Sequence, residues 1–254
     1  MKEQEENRLQ ELERENLQLR ENLRKREEFI RNTFGRYLTD EVLEEILERG
    51  DQTGIGGERR VVTMLFSDLR SSTELSEKMN ATDFVRMLNH YLEIMIELIN
   101  AWQGNILEFV GDAIVVVFGA PRRNEDAARD AVACAVAMQS AMPTVNAWNR
   151  EQGYPEIAMG IGIHTGEAIL GNIGSQTRTK YDMIGRNVNL TSRIEGFTKG
   201  GQILISTETL EAAGELVNVN RTGEMWVKPK GINTEILIHD VIGFGKKTIP
   251  QGND

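Results

Sequence analysis

Two aspartates have the setting that metal chemistry needs. Asp112 lies in Asn105-Ile106-Leu107-Glu108-Phe109-Val110-Gly111-Asp112-Ala113-Ile114-Val115-Val116-Val117-Phe118, and Asp68 ends Val61-Val62-Thr63-Met64-Leu65-Phe66-Ser67-Asp68. Both follow β-branched and aromatic runs that suit buried strands. Gly111-Asp112 is a compact turn of the kind that joins antiparallel strands. A surface turn selects such residues for folding alone. Two apolar strands that each carry one Asp to an end point further, to a shared metal site. Mg²⁺ takes one or two carboxylates and completes its shell with water and substrate phosphates. Two such ions can clamp the attacking and leaving oxygens of an in-line displacement. Glu108, four residues before Asp112, adds a carboxylate to the same hairpin.

Two further stretches offer anion contacts. After Asp68 the chain runs Leu69-Arg70-Ser71-Ser72-Thr73 into a helical pattern. Backbone N–H groups at such a turn can hold phosphates, and an ordinary N-cap by Ser71 or Ser72 uses the same residues. In Lys180-Tyr181-Asp182-Met183-Ile184-Gly185-Arg186-Asn187-Val188-Asn189-Leu190-Thr191-Ser192-Arg193, Asn189 and Arg193 share a helix face at i,i+4. An amide and a guanidinium on one face suit a polyanionic transition state, and a solvated helix face is the plain alternative.

The elements that position these groups alternate from residue 59 onward. A strand at 61–67 precedes helical patterns at 73–79 and 82–101, then the 105–118 hairpin and a long helix near 124–150. Strands at 157–164 and 168–173 flank Thr165-Gly166-Glu167, which reads as a second hairpin. A helix near 187–195, a strand at 202–206, a helix at 207–213 and weak strands near 215–220 and 234–239 complete the order. This predicts an α+β fold, a ferredoxin-like βαββαβ core enlarged at its C-terminal end.

Before it, residues 1–30 carry a 3,4 repeat: Leu9, Asn16, Leu23 and Ile30 at a, Leu12, Leu19 and Arg26 at d. This predicts a short parallel coiled coil with register set by Asn16; a single solvated helix with i,i+4 ion pairs is the alternative. Phe34–Leu47 reads as a bent amphipathic helix, and Gly50–Glu58 as a flexible linker. The expected division is coiled coil 1–30, transducer helix and Gly-rich linker 31–58, catalytic domain 59–243 and flexible tail 244–254.

Bulk properties narrow the classes. The 254 residues carry a net charge of −10 and show no basic stripe, which argues against nucleic-acid binding. One cysteine, Cys134, permits no internal disulfide and suits a reducing, cytoplasmic setting. The three histidines lack zinc spacing. No apolar run is long enough to span a membrane, and the charged start is unlike a secretory signal; a membrane-tethered parent stays open.

Taken together, Phe66-Ser67-Asp68 with Ser72-Thr73, Phe109-Val110-Gly111-Asp112-Ala113, and Gly185 through Arg193 resemble the catalytic domain of the class III nucleotidyl cyclases, in order and spacing, over 59–240. Phe34–Leu47 resembles the transducer segment of many bacterial members. The resemblance implies signal transduction by a head-to-tail homodimer with two interfacial sites, each with two Mg²⁺ or Mn²⁺ ions. It assigns Asp68, Leu69 and Asp112 to metal, and Ser71, Ser72 and Thr73 to the triphosphate. The opposite subunit would supply Glu108 and Asp182 for the base, Asn189 for the ribose and Arg193 for the phosphoryl charge. Lys228 resembles the family's triphosphate lysine. Pro229 stands where Gly is usual, so Lys230 is the alternative.

The implied reaction is attack of the ribose 3′-oxygen on the α-phosphorus with loss of pyrophosphate. Glu108 matches guanylyl members and Asp182 matches adenylyl members, so each purine meets one mismatch; the resemblance to bacterial transducer-linked enzymes puts ATP ahead of GTP. A catalytically silent dimeric relay is the reading from another class, and retention of Asp68, Asp112, Asn189 and Arg193 counts against it. The abrupt start in coiled coil suggests a sensor domain upstream.

Overall fold

The computed structural model describes residues 2–34, 55–220, 222–229 and 235–249. The chain divides into two compact units, Met1–Thr53 and Gly54–Asp254. In the first, α1 (Lys2–Phe34) is one unbroken helix. Its repeat leaves Leu9, Leu12, Leu19 and Leu23 each at least half exposed. The predicted Phe34–Leu47 bend lies outside the described residues.

The second unit runs β1 (Gly56–Leu69), α2 (Ser72–Lys78), α3 (Ala81–Ala101), β2 (Asn105–Val110), β3 (Ala113–Phe118), α4 (Ala127–Glu151), β4 (Met159–Ser175), β5 (Arg178–Ile184), α5 (Arg186–Glu195), β6 (Ile203–Ser206), α6 (Thr207–Ala213), β7 (Val217–Val219), β8 (Met225–Val227), β9 (Ile236–Phe244) and β10 (Lys247–Thr248). The sheet order is β10-β9-β6-β4-β1-β3-β2. The stretch β4-β1-β3-β2, antiparallel throughout, is the expected ferredoxin-like core. β6 extends it in parallel to β4, and β9 pairs with β6, which is the C-terminal enlargement.

Strand alternation splits the apolar residues between two faces. Leu65, Leu69, Ile114, Val116, Phe118, Ile161 and Ile163 pack with α3 and α4. On α3, Met87, Tyr91, Met95 and Ile99 recur every four residues and are fully buried. Val62, Met64, Val115, Val117, Ala168 and Leu170 form a second cluster on the other face. Such two-sided burial explains why β3 reads as a continuous apolar run.

Three expectations change. Thr165-Gly166-Glu167 is no turn: β4 is continuous, and these residues pair with Thr63, Val62 and Val61 of β1. Gly166 is needed for close approach, since a Cβ there would lie 2.5 Å from Asn187 Nδ2. The hairpin comes later, at Gln176-Thr177, and leads into β5, a strand the polar Arg178-Thr179-Lys180 conceals. Gly56–Glu58, assigned to the linker by composition, already belongs to β1. The tail from 244 is structured at its start: Phe244 packs against the core, and β10 pairs with β9.

Candidate active site

β1 and β3 are hydrogen-bonded neighbours, with Ser67 opposite Ile114, so Asp68 and the β2–β3 turn emerge together. Gly111 takes φ 66°, a left-handed conformation that Gly adopts at no steric cost. Asp112 Oδ2 accepts a 3.1 Å hydrogen bond from the Leu69 N–H. Asp68 and Asp112 are in side-chain hydrogen-bond contact, and the Asp68 pKa is pushed up to about 6. Burial is the main cause, followed by the hydrogen bond to Asp112 and the charges of Asp112 and Glu195, with Arg70 opposing. Tyr91 lies buried beneath; burial first, then the two aspartate charges, pushes its phenol up.

Two carboxylates driven together at the end of a strand form an oxygen-only donor set, and the cation beside it, Arg70, 3.6 Å from Asp68 Oδ2, is shared with Glu195. Among the described residues no group of three or more His, Cys, Asp and Glu gathers around one point. This suits a hard cation that takes one or two carboxylates and leaves its other positions to phosphates and water; it does not suit zinc.

Ser71 occupies the N-cap of α2 with φ 60°, and its side chain makes no capping hydrogen bond. A non-Gly residue in this region is strained and often marks a functional turn. The ordinary N-cap reading therefore fails for Ser71.

The second constellation sits on β2 and β5. The β2–β3 register shifts between Ile106 and Glu108, a bulge that re-aims the side chains after it. Lys180 Nζ donates to Glu108 Oε2 at 2.5 Å and to Asp182 Oδ2 at 3.3 Å. Asp182 Oδ1 also accepts from the Met183 N–H at 2.8 Å. The two carboxylates raise the Lys180 pKa against the opposing effect of burial. Lys180 thus joins the two residues expected to read the base.

Asn189 and Arg193 share α5, with Asn189 exposed. Arg193 Nη1 is buried and has no hydrogen-bond partner among the described residues. An unpaired buried guanidinium nitrogen is costly and suits an incoming anion. Lys228 is exposed just after β8, and Lys230 lies outside the described residues.

The sequence profile described as the adenylate and guanylate cyclase catalytic domain matches residues 57–240. The chain belongs to this class III cyclase family. Adenylate cyclase 1 of Rhizobium meliloti (strain 1021) is 32% identical over 213 residues, which are 83% of this chain and 32% of that protein. An uncharacterized Mycobacterium tuberculosis protein is 32% identical over 226 residues, covering 88% of this chain and 40% of its own length. The chain therefore spans well under half of these curated relatives. Among solved structures, a guanylyl cyclase is 48% identical with a TM-score of 0.74, covering 77% of this chain and all of that one. The adenylyl cyclase CyaB from P. aeruginosa is 34% identical with a TM-score of 0.71, covering 76% of this chain and 99% of that one. Among the described residues of this cyclase chain, no helix is long and apolar enough to cross a membrane.

The candidate site also contains groups that sequence spacing did not single out. Arg70 Nη2 bonds to the Glu195 carboxylate and to the Asp68 carbonyl oxygen. Glu195 follows Arg193 by two residues, but its partner is 125 residues away, so no local pattern signals the pair.

Proposed function

We propose that this chain converts a purine nucleoside triphosphate into its 3′,5′-cyclic nucleotide and pyrophosphate, in a head-to-tail homodimer with two shared sites. The observation that carries the reading is the meeting of Asp68 and Asp112 at one sheet end, with the Leu69 N–H on Asp112. Asp68 and Asp112, with Leu69 beside them, would hold two Mg²⁺ or Mn²⁺ ions, which when bound acidify the 3′-hydroxyl and stabilise the leaving pyrophosphate. Asn189 of the opposite subunit orients the ribose, and Arg193 neutralises charge growing on the α-phosphoryl oxygens. Ser71, Ser72 and Thr73 receive the triphosphate, as does Lys228. The 3′-oxygen displaces pyrophosphate in line, and its proton leaves to solvent, since no side chain in the cluster is placed as a dedicated base.

For the base, we propose GTP ahead of ATP, the opposite order to the one the resemblance implied, and the trio Glu108, Lys180 and Asp182 supports it. Guanine presents N1–H and N2–H₂ donors beside an O6 acceptor. Glu108 accepts from the donors through its second oxygen, Lys180 donates to O6, and Lys180 neutralises Asp182. Adenine can take Asp182 at N6 and Lys180 at N1, which leaves the outer Glu108 oxygen against a C2–H. GTP is therefore the first substrate and ATP the second, in line with the 48% identity to a guanylyl cyclase.

The deciding assay presents purified protein and Mn²⁺ with GTP or ATP. Cyclic product that disappears in Asp112→Asn supports the reading; nucleotide bound without turnover would support the silent relay instead. The exposed Leu stripe of α1 supports a parallel coiled coil that brings the two catalytic domains together and sets their orientation. Replacing Leu12, Leu19 and Leu23 with Lys should lower dimer affinity and specific activity together. Unchanged activity at low protein concentration would rule that role out.

A further inference from the structure

Arg70 sits between the metal corner and α5. Its Nη2 donates to the Asp68 carbonyl at 3.2 Å, lies 3.6 Å from Asp68 Oδ2 and bonds the Glu195 carboxylate; its Nη1 reaches the Thr198 carbonyl at 3.4 Å. The Arg70 N–H itself is fixed to the Ala158 carbonyl at 2.7 Å. The Glu195 side chain is only 12% exposed, and a buried, hydrogen-bonded ion pair holds geometry far better than a surface one. The C-terminal end of α5 also lies directly on β4. A Cβ on Gly162 would fall 2.3 Å from the Glu195 nitrogen, and one on Gly160 would overlap the Thr198 hydroxyl. At the other end, Asn187 Nδ2 donates to the Glu167 carbonyl at 2.9 Å. α5 is thus pinned at both ends, and its C-terminal pin is the residue that also grips Asp68.

The geometry points to Arg70 and Glu195 as positioning residues that couple the two catalytic sites of a dimer. This rests on the shared-site reading above. In that arrangement Asp68 serves one site while Asn189 and Arg193 of the same chain serve the other. The Arg70–Glu195 pair makes the metal corner of one site and the transition-state residues of the other a single rigid body. Displacement of Asp68 in one site therefore moves α5 in its neighbour. The pair touches no substrate; it acts through the register of α5.

Mixed dimers test this. Asp112→Asn chains and Arg193→Ala chains are each inactive alone and regain activity when mixed, because one site then has both intact halves. Arg70→Met is next placed only in the Asp112→Asn chain, which gives the working site α5 with Asn189 and Arg193, and Glu108 and Asp182 for the base, but not its metal corner. The expected result is a fall in kcat of about tenfold to a hundredfold, the usual effect of misplacing a catalytic group by an ångström, with KM nearly unchanged. Arg70→Glu combined with Glu195→Arg in that chain should restore much of the loss. In the metal-free protein, Arg70→Met should speed amide hydrogen exchange across Asn189–Glu195 and leave α3 protected. Should Arg70→Met disturb folding, Glu195→Gln makes the same test with shape preserved. An unchanged kcat in this arrangement, with loss only when Arg70→Met sits in the Arg193→Ala chain, would confine Arg70 to the metal corner and overturn the coupling. Failure of the two parent chains to complement would instead remove the shared-site reading, and the coupling with it.

Discussion

The two ends of the β2–β3 hairpin treat their carboxylates in opposite ways. At the turn, Asp112 is pressed against Asp68, and the Asp68 pKa rises to about 6. Near the bulge, Glu108 and Asp182 are also close, yet Lys180 lies between them and satisfies both. The first corner gathers three carboxylates, Asp68, Asp112 and Glu195, around one cation, Arg70, and takes further positive charge from outside; in the second, one lysine bridges both carboxylates. The difference separates binding from choosing. A corner whose carboxylates outnumber its one cation binds metal because like charges in a partly buried place are unfavourable. A corner whose carboxylates already share an ammonium gains less from a charged guest, but rewards a base whose donors and acceptors replace the internal contacts one for one, and leaves polar groups unpaired for any other.

The strongest way to break the contrast is at the turn. Asp112→Asn should lower kcat by about 10³-fold, or ~4 kcal/mol at 1.36 kcal/mol per tenfold, while the metal-free protein melts no earlier, because a repulsive pair has been removed. Cyclase assays with Mn²⁺ and a thermal melt in chelator check both halves. Early melting would make Asp112 a folding residue.

Next in size is Lys180→Met. With its counter-ion gone, the base corner should lose about 10-fold to 100-fold in kcat/KM for GTP, the effect of leaving one polar group unpaired at ~1–3 kcal/mol, and lose less for ATP. Parallel kinetics with both nucleotides decide; equal losses would reduce Lys180 to general electrostatics. Glu108→Lys should move preference toward ATP by a comparable factor, since it removes the outer carboxylate oxygen that guanine uses and that faces only a C2–H in adenine. A variant that keeps its original preference would transfer base choice to other residues.

The smallest effect is a pH dependence. The folded Asp68 pKa lies near 6, above its ordinary 3.8, so the folded state holds this proton more tightly than the unfolded state. Its stabilising contribution is full below about pH 4 and is lost as pH rises through about 6. In chelator, wild type should therefore lose melting temperature across this window relative to Asp68→Asn. Saturating Mg²⁺ should reverse the trend, because metal binds the deprotonated carboxylate. Identical slopes for the two proteins would show the aspartate pair to be already relaxed without metal.

Much of the architecture was legible in advance because it depends on local chemistry. The α6 helix (Thr207–Ala213) begins at Ser206, whose hydroxyl accepts from the Thr209 N–H, a start that needs only neighbouring residues. The Asp112 turn likewise follows from Gly111 and the flanking alternation. The reading failed where a residue's reason lay across the fold. Gly166 looks like a turn glycine, yet it is a strand residue kept small for Asn187, twenty-one positions on. β5 was hidden because Arg178-Thr179-Lys180 is exposed and polar on one face; only pairing with Gly174, Gly171 and their neighbours on β4 makes it a strand.

By itself the sequence carried the resemblance to the cyclases in three motifs, and it determined the βαββαβ order and the two aspartates at strand ends, because hydrophobic period, turn chemistry and residue type act over a few neighbouring positions. Tertiary structure alone decided that Lys180 lies between Glu108 and Asp182, 72 and 2 residues away, and that Arg70 ties Asp68 to α5 across 125 residues. An ion pair depends on where two charges end up in space, and that is set by sheet register and helix docking, which no local spacing contains.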